Sequence, residues 1–99
     1  MDIAREIRKA METGEVILGT NKSMKALKNG DAKLVIYASN CEIESRDDLD
    51  YYSKLGNVPT LEYKGTCVDL GMVCGKPFVV SMIAVLSAGD STILSAEGD

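Results

Sequence analysis

The feature that most constrains this chain is its alternation of short apolar runs with stretches of helical periodicity. Val16-Ile17-Leu18, Leu34 to Ala38 and Val79 to Leu86 lack the polar-apolar alternation of a half-exposed strand. A strand that is apolar on both sides must be covered on both sides. The first of these runs, closed by Gly19, predicts a buried strand over 16–19 rather than an edge strand, and the last and longest predicts a central one. Thr60 to Tyr63 alternates after Pro59, as an edge strand does.

Helical signals fill the intervals. Ile3, Ile7, Ala10 and Met11 recur at helical spacing after Asp2, a candidate N-cap, and Gly14 follows, so a helix is expected over 2–13. Thr20 or Asn21 is placed to cap a second helix over 21–29, with Met24 and Leu27 inward and Asn29-Gly30 at its end. Ser39-Asn40 turn the chain out of the second strand. Ser45 with Asp48 reads as a capping box for a third helix over 46–56, carrying Leu49, Tyr52 and Leu55 and stopped by Gly56-Asn57. Thr66 with Asp69 is another, opening a short helix with Cys67, Leu70, Val73 and Cys74 inward and Gly75 beyond it. Thr92-Ile93-Leu94 carries no decisive pattern. The alternation predicts an α/β fold with a four-stranded sheet, at least partly parallel, and helices on both faces.

A length of 99 residues is that of one compact domain, 1–99, with 45% apolar and 26% charged residues. The longest apolar run is far short of the roughly 20 residues of a membrane helix, and Met1-Asp2-Ile3 begins no signal-peptide core, so a cytoplasmic protein without a membrane partner is expected. Cys41, Cys67 and Cys74 form no CxxC pair and read as reduced, buried thiols. The chain has no histidine, the commonest general base and metal ligand. Neither an enzyme nor a small-molecule substrate, cofactor or metal site is expected. Gly71 to Lys76 imitates a phosphate loop, but three residues rather than four separate its glycines and Pro77 follows the lysine. Asp47, Asp48 and Asp50 read as acids opposing a helix dipole rather than as metal ligands.

The net charge of −4 argues against nucleic acid, but its distribution does not. Residues 20–40 carry +3, from Lys22, Lys25, Lys28 and Lys33 against Asp31, whereas 41–52 carry −4. The tail adds −3 from Asp90, Glu97 and Asp99. Lys22, Lys25 and Lys28 spread over about 120° of the second helix. The amides of Thr20, Asn21 and Lys22 emerge there from Gly19, so dipole, amides and lysines favour an anion at one end. A solvated lysine face explains the same spacing equally well. Gly75-Lys76-Pro77-Phe78 is the second candidate: its Phe could pack on a base, with Lys76 beside it for phosphate.

Taken together, Gly19-Thr20-Asn21-Lys22, Ala38-Ser39-Asn40-Cys41, Asp50-Tyr51-Tyr52-Ser53-Lys54-Leu55, Val68-Asp69-Leu70-Gly71 and Cys74-Gly75-Lys76-Pro77-Phe78 resemble, in order, the L-thirty-e family of archaeal and eukaryotic large-subunit ribosomal proteins. The resemblance implies a three-layer α/β/α sandwich with a four-stranded mixed sheet. It also implies membership of the superfamily that recognises kink-turn RNA, an internal loop sharply bent beside sheared G·A pairs. On the matching positions, Gly19, Thr20, Asn21 and Lys22 would contact the kinked backbone and G·A edges, with Asn21 the base reader. Lys25 and Lys28 would extend that basic face. Ser39, Asn40 and Arg46 would line the adjoining loop and helix start, and Gly75, Lys76, Pro77, Phe78 and Val79 the opposite wall. Val79 departs from the polar or basic residue that many relatives carry there, which removes a phosphate contact. The implied partners are ribosomal RNA and neighbouring ribosomal proteins, with a monomer when free. Two alternatives stay open: a sister kink-turn binder of guide-RNA particles, and a protein-interaction module on the same fold.

Overall fold

The computed structural model describes residues 2–96. Met1 and residues 97–99 lie outside them, and with these the tail acids Glu97 and Asp99. The elements follow in the order α1 (Ile3–Thr13), β1 (Glu15–Leu18), α2 (Thr20–Lys28), β2 (Leu34–Ala38), α3 (Ile43–Gly56), β3 (Thr60–Tyr63), α4 (Cys67–Val73) and β4 (Met82–Ser87), closed by a 3-10 turn, Ile93–Ala96.

The sheet is mixed, in the order β1-β4-β2-β3. β4 runs antiparallel between β1 and β2, pairing Ile83 with Leu18 on one side and with Ile36 on the other. β2 and β3 are parallel, with Ile36 opposite Leu61. β1, β2 and β3 therefore point one way and β4 the other.

Two apolar layers cover the sheet. Ile7 and Ala10 of α1, Leu70 and Val73 of α4 and Ile93 pack with Leu34, Ile36, Ile83 and Val85 on one face. Met24 and Leu27 of α2 and Leu49 of α3 pack with Val35, Met82 and Ala84 on the other. This is an α/β/α sandwich, and it explains the unbroken apolar runs Val16–Leu18, Leu34–Ala38 and Met82–Leu86. Each fully buried aliphatic side chain contributes about 1.5–3 kcal/mol through apolar burial.

Local signals locate most boundaries. Asp2 accepts from the Arg5 amide at 3.2 Å and caps α1. Thr66 and Asp69 close the reciprocal capping box of α4. α2, α3 and α4 end alike: the chain turns left-handed at Gly30, Asn57 and Gly75, and the next amide reaches back into the last turn.

Four expectations are corrected. β1 is an edge strand, paired with β4 alone. Its apolar run reports two covered faces: Val16 and Leu18 pack against the α1–α4 side and Ile17 against the α2–α3 side. Gly19, not Thr20 or Asn21, occupies the N-cap of α2. α3 begins at Ile43, not at Arg46, with Glu42 at its N-cap and no capping side chain. The Cys41 amide has already turned back to the Ala38 carbonyl and Arg46 N–H bonds to Glu42, so Ser45 is an ordinary first-turn residue. β4 begins at Met82 rather than Val79, because β1 and β2 run out of partners at Ile83 and Met82.

Candidate nucleic-acid interface

With three strands parallel and the fourth reversed, the segments after β1, β2 and β3 and the segment before β4 meet at one end of the sheet. Backbone hydrogen bonds tie them together. Gly19 N–H donates to Met82 O at 2.9 Å, Ala38 N–H to Ser81 O at 2.9 Å and Ser39 N–H to Gly65 O at 2.9 Å. Of the residues that the resemblance assigns to RNA, Gly19 to Lys22, Ser39 and Asn40 leave strands at this end and Gly75 to Val79 lead into β4, Arg46 stands early in α3 over Tyr37, and Lys25 and Lys28 run back along α2.

The start of α2 is built to leave polar groups open. Gly19 has φ 103°, a conformation that L side chains rarely adopt, and nothing stands within 4 Å of where a Cβ would lie. Its amide is held by β4, and the buried Ser23 hydroxyl donates toward the Ile17 and Met82 carbonyls at 3.4 and 3.5 Å, which locks the turn in place. The first-turn amides of α2 have no partner within the helix, and no N-cap side chain accepts from them. Thr20 is half-buried, while Asn21 and Lys22 are exposed. A cleft of about 210 Å³ opens beside them, lined by Thr20, Asn21, Cys41, Glu42, Ser45 and Ser81.

The loop after β2 is of the opposite kind. The Ser39 hydroxyl donates to Gly65 O at 2.8 Å. The Asn40 carbonyl oxygen accepts from the Cys67 amide at 2.8 Å, and its amide group donates to the Cys67 sulfur at 3.6 Å. Both side chains are occupied in fastening the β2–α3 loop to the start of α4. The Arg46 guanidinium lies over the Tyr37 ring, 5.3 Å from its centroid.

The lysines do not form a single patch. Lys22 stands at the loop end, and Lys25 and Lys28 line, with Asn21 and Asp48, a groove of about 330 Å³ between α2 and α3. Lys28, about 9 Å along the helix from Lys22, places its ammonium 4.7 Å from the Tyr52 ring centroid.

The segment from Gly75 to Val79 forms the other wall. Gly75 turns left-handed at φ 71°. Gly71 lets the segment lie directly on α4, since a Cβ there would collide with the Phe78 carbonyl oxygen. Val80 is buried, whereas Phe78 and Val79 are 57% and 58% exposed. Lys76, Pro77, Phe78 and Val79 line a second cleft of about 260 Å³ with Val68 and Met72 of α4. Phe78 is thus a surface ring, not a core one. The two clefts share no lining residue.

The sequence reading misses Cys41, Glu42, Ser45 and Ser81 as walls of the Asn21 cleft. They come together only through the order of the strands, and nothing local marks them. Cys41 and Cys74 are buried and Cys67 half-buried, all as free thiols; burial pushes the Cys41 and Cys74 thiols above the ordinary range.

Comparison with known proteins places this geometry in context. A model of the ribosomal protein L7Ae/L30e/S12e/Gadd45 family matches residues 1–95. The chain is similar to the large ribosomal subunit protein eL30 of Methanopyrus kandleri, 51% identical over 95% of this chain and 86% of that one. It is similar to the protein of the same name from Methanothermobacter thermautotrophicus, 48% identical over 99% and 100% of the two chains. A third, from Methanococcus vannielii, is 46% identical over 100% and 94%.

Proposed function

The chain belongs to the ribosomal protein L7Ae/L30e/S12e/Gadd45 family, and from that premise we propose that it is a structural component of the large ribosomal subunit, acting in the cytoplasm without catalysis. Its RNA target is a kink-turn of ribosomal RNA, gripped at the loop end of the sheet. The observation that carries this reading is the open start of α2: uncapped amides, an unoccupied Asn21 and Lys22, and a glycine with nothing over it.

Each group has work that suits its chemistry. The α2 amides and Lys22 meet backbone phosphate, where the helix dipole adds to the charge. Asn21 supplies a donor and an acceptor side by side, the pair needed to read a G·A edge. Thr20 stands behind it. Phe78, with Pro77 and Val79, offers an apolar platform for an unstacked base, and Lys76 a cation for the phosphate next to it. Lys25 adds charge along the flank. Ser39, Asn40 and Arg46 are positioning residues: they hold the loop that walls the Asn21 cleft. Lys28 adds field rather than contact.

Gel-shift titration tests this with two RNAs that differ only in the kink-turn, one carrying G·A pairs and one carrying Watson–Crick pairs in their place. Nanomolar to micromolar binding to the first, weakening with salt, and its loss with the second are expected. Equal binding to both would reduce the interaction to nonspecific attraction.

A further inference from the structure

Neither the core nor the RNA-facing end accounts for the outer face of α3. Leu49 and Ser53 point into the protein, so the side about 180° away faces solvent. A surface helix ordinarily carries polar residues there. α3 instead exposes Ile43 at 74%, Tyr51 at 63% and Leu55 at 73%. Among them stand four exposed acids, Glu44, Asp47, Asp48 and Asp50, against the single cation Lys54, a net −3 on one face.

Helix electrostatics do not explain those acids. Because α3 begins at Ile43, only Glu44 lies in its first turn, and the dipole's pull on carboxylates fades beyond it. Of the neighbouring cations, Lys25 and Lys28 share the α2–α3 groove with Asp48 alone, while Arg46 lies over Tyr37 and Lys28 over Tyr52, which leaves Glu44, Asp47 and Asp50 facing only Lys54.

We infer that the outer face of α3 docks a lysine- and arginine-rich protein segment that also presents apolar side chains. The inference rests on the large-subunit reading, in which the chain's surroundings are RNA and other proteins. RNA is excluded from this face by like charge. A second copy of the chain would set −3 against −3. A cationic segment with apolar residues satisfies both halves of the surface. The carboxylates steer it and set its register, and Tyr51, Leu55 and Ile43 anchor it as the desolvated centre of a contact. Ile43 and Tyr51 lie two turns apart, about 12 Å along the axis, so the partner offers apolar groups at that separation.

The test places a benzophenone side chain at position 51 of the tagged full chain and, as a control, at the exposed Lys9 of α1. Large subunits that have incorporated the chain are purified and irradiated. Position 51 is expected to cross-link to one basic ribosomal protein and the control is not. Cross-linking to ribosomal RNA, or none from position 51 in subunits that hold the chain, overturns the inference and leaves the RNA-binding reading standing. Failure of the chain to enter large subunits removes the premise, and the inference with it. As a second measurement, Tyr51→Ser with Leu55→Ser should bind isolated kink-turn RNA as the unaltered chain does. Its retention on salt-washed subunits should fall about tenfold; unchanged retention also overturns the proposal.

Discussion

Asn21, in the first turn of α2, and Asn40, in the loop that leaves β2, present the same amide at the same end of the sheet. They differ in what already occupies them. Asn40 spends its oxygen on the Cys67 amide and its nitrogen on the Cys67 sulfur, whereas Asn21 lines a cleft beside uncapped helix amides. Desolvating an unoccupied donor-acceptor pair is repaid only by a ligand that matches it; an occupied pair has been repaid within the fold. On the proposed reading, Asn21 is free for recognition and Asn40 serves shape, and the contrast can be broken by experiment.

The largest effect should come from Asn21→Ala. If Asn21 reads a base edge, kink-turn affinity falls by about 1–3 kcal/mol while the unfolding midpoint stays put. Affinity close to that of the unaltered chain would remove Asn21 from the base-reading role. Asn40→Ala should act on the other axis. It strips a first-turn amide of α4 of its acceptor and costs about 1 kcal/mol of stability, measured by urea unfolding. RNA affinity should fall less than for Asn21→Ala. A larger loss of affinity than of stability would place Asn40 in the contact surface and erase the distinction.

The same pair shows what was legible beforehand. Both asparagines sit in motifs that the family resemblance assigns to RNA, and nothing near Asn40 in sequence says that its partner is Cys67, 27 residues on. Sheet order had the same character. The apolar runs announced a sandwich covered on both faces, yet β1 proved an edge strand, since coverage by α1 and α2 and pairing with neighbours impose separate demands. Val79 to Ser81 misled in the converse way: an apolar run continued beyond the last strand partner, with Val80 buried under α4 and Val79 left in solvent. Local chemistry was readable where a side chain does cap the helix, at Asp2 and Thr66, and misled at the starts of α2 and α3, where no side chain does. What long-range pairing controls was not readable.

Lysines repeat the contrast at lower energy. Lys28 lies over Tyr52, so Lys28→Gln should cost about 0.5–1 kcal/mol of stability through the lost cation–π contact. It should leave the salt dependence of RNA binding nearly unchanged. Lys76→Gln, at the exposed rim of the Phe78 cleft, should leave stability alone and lower the slope of log affinity against log salt by about 1. Equal slopes for the two variants would mean that all the lysines act as a diffuse field.

The smallest effect is expected at a committed carboxylate remote from either cleft. Glu6 accepts from the Thr92 amide at 2.8 Å and the Ser91 hydroxyl at 3.0 Å, which fastens the C-terminal turn to α1. Those hydrogen bonds, the backbone one first, hold its carboxyl below the ordinary glutamate range. A folded-state value lower than the unfolded one means that protons bind the unfolded chain more readily, so the clamp contributes fully above the ordinary value. The contribution is lost as pH falls through the lowered folded value. Glu6→Gln should therefore melt below the unaltered chain at neutral pH, and the gap should close in acid, where both side chains are uncharged. A gap that persists unchanged in acid would make the contact one of shape rather than charge. RNA affinity should not move at any pH where the chain is folded, because Glu6 lines neither cleft and its carboxylate is engaged by the C-terminal turn.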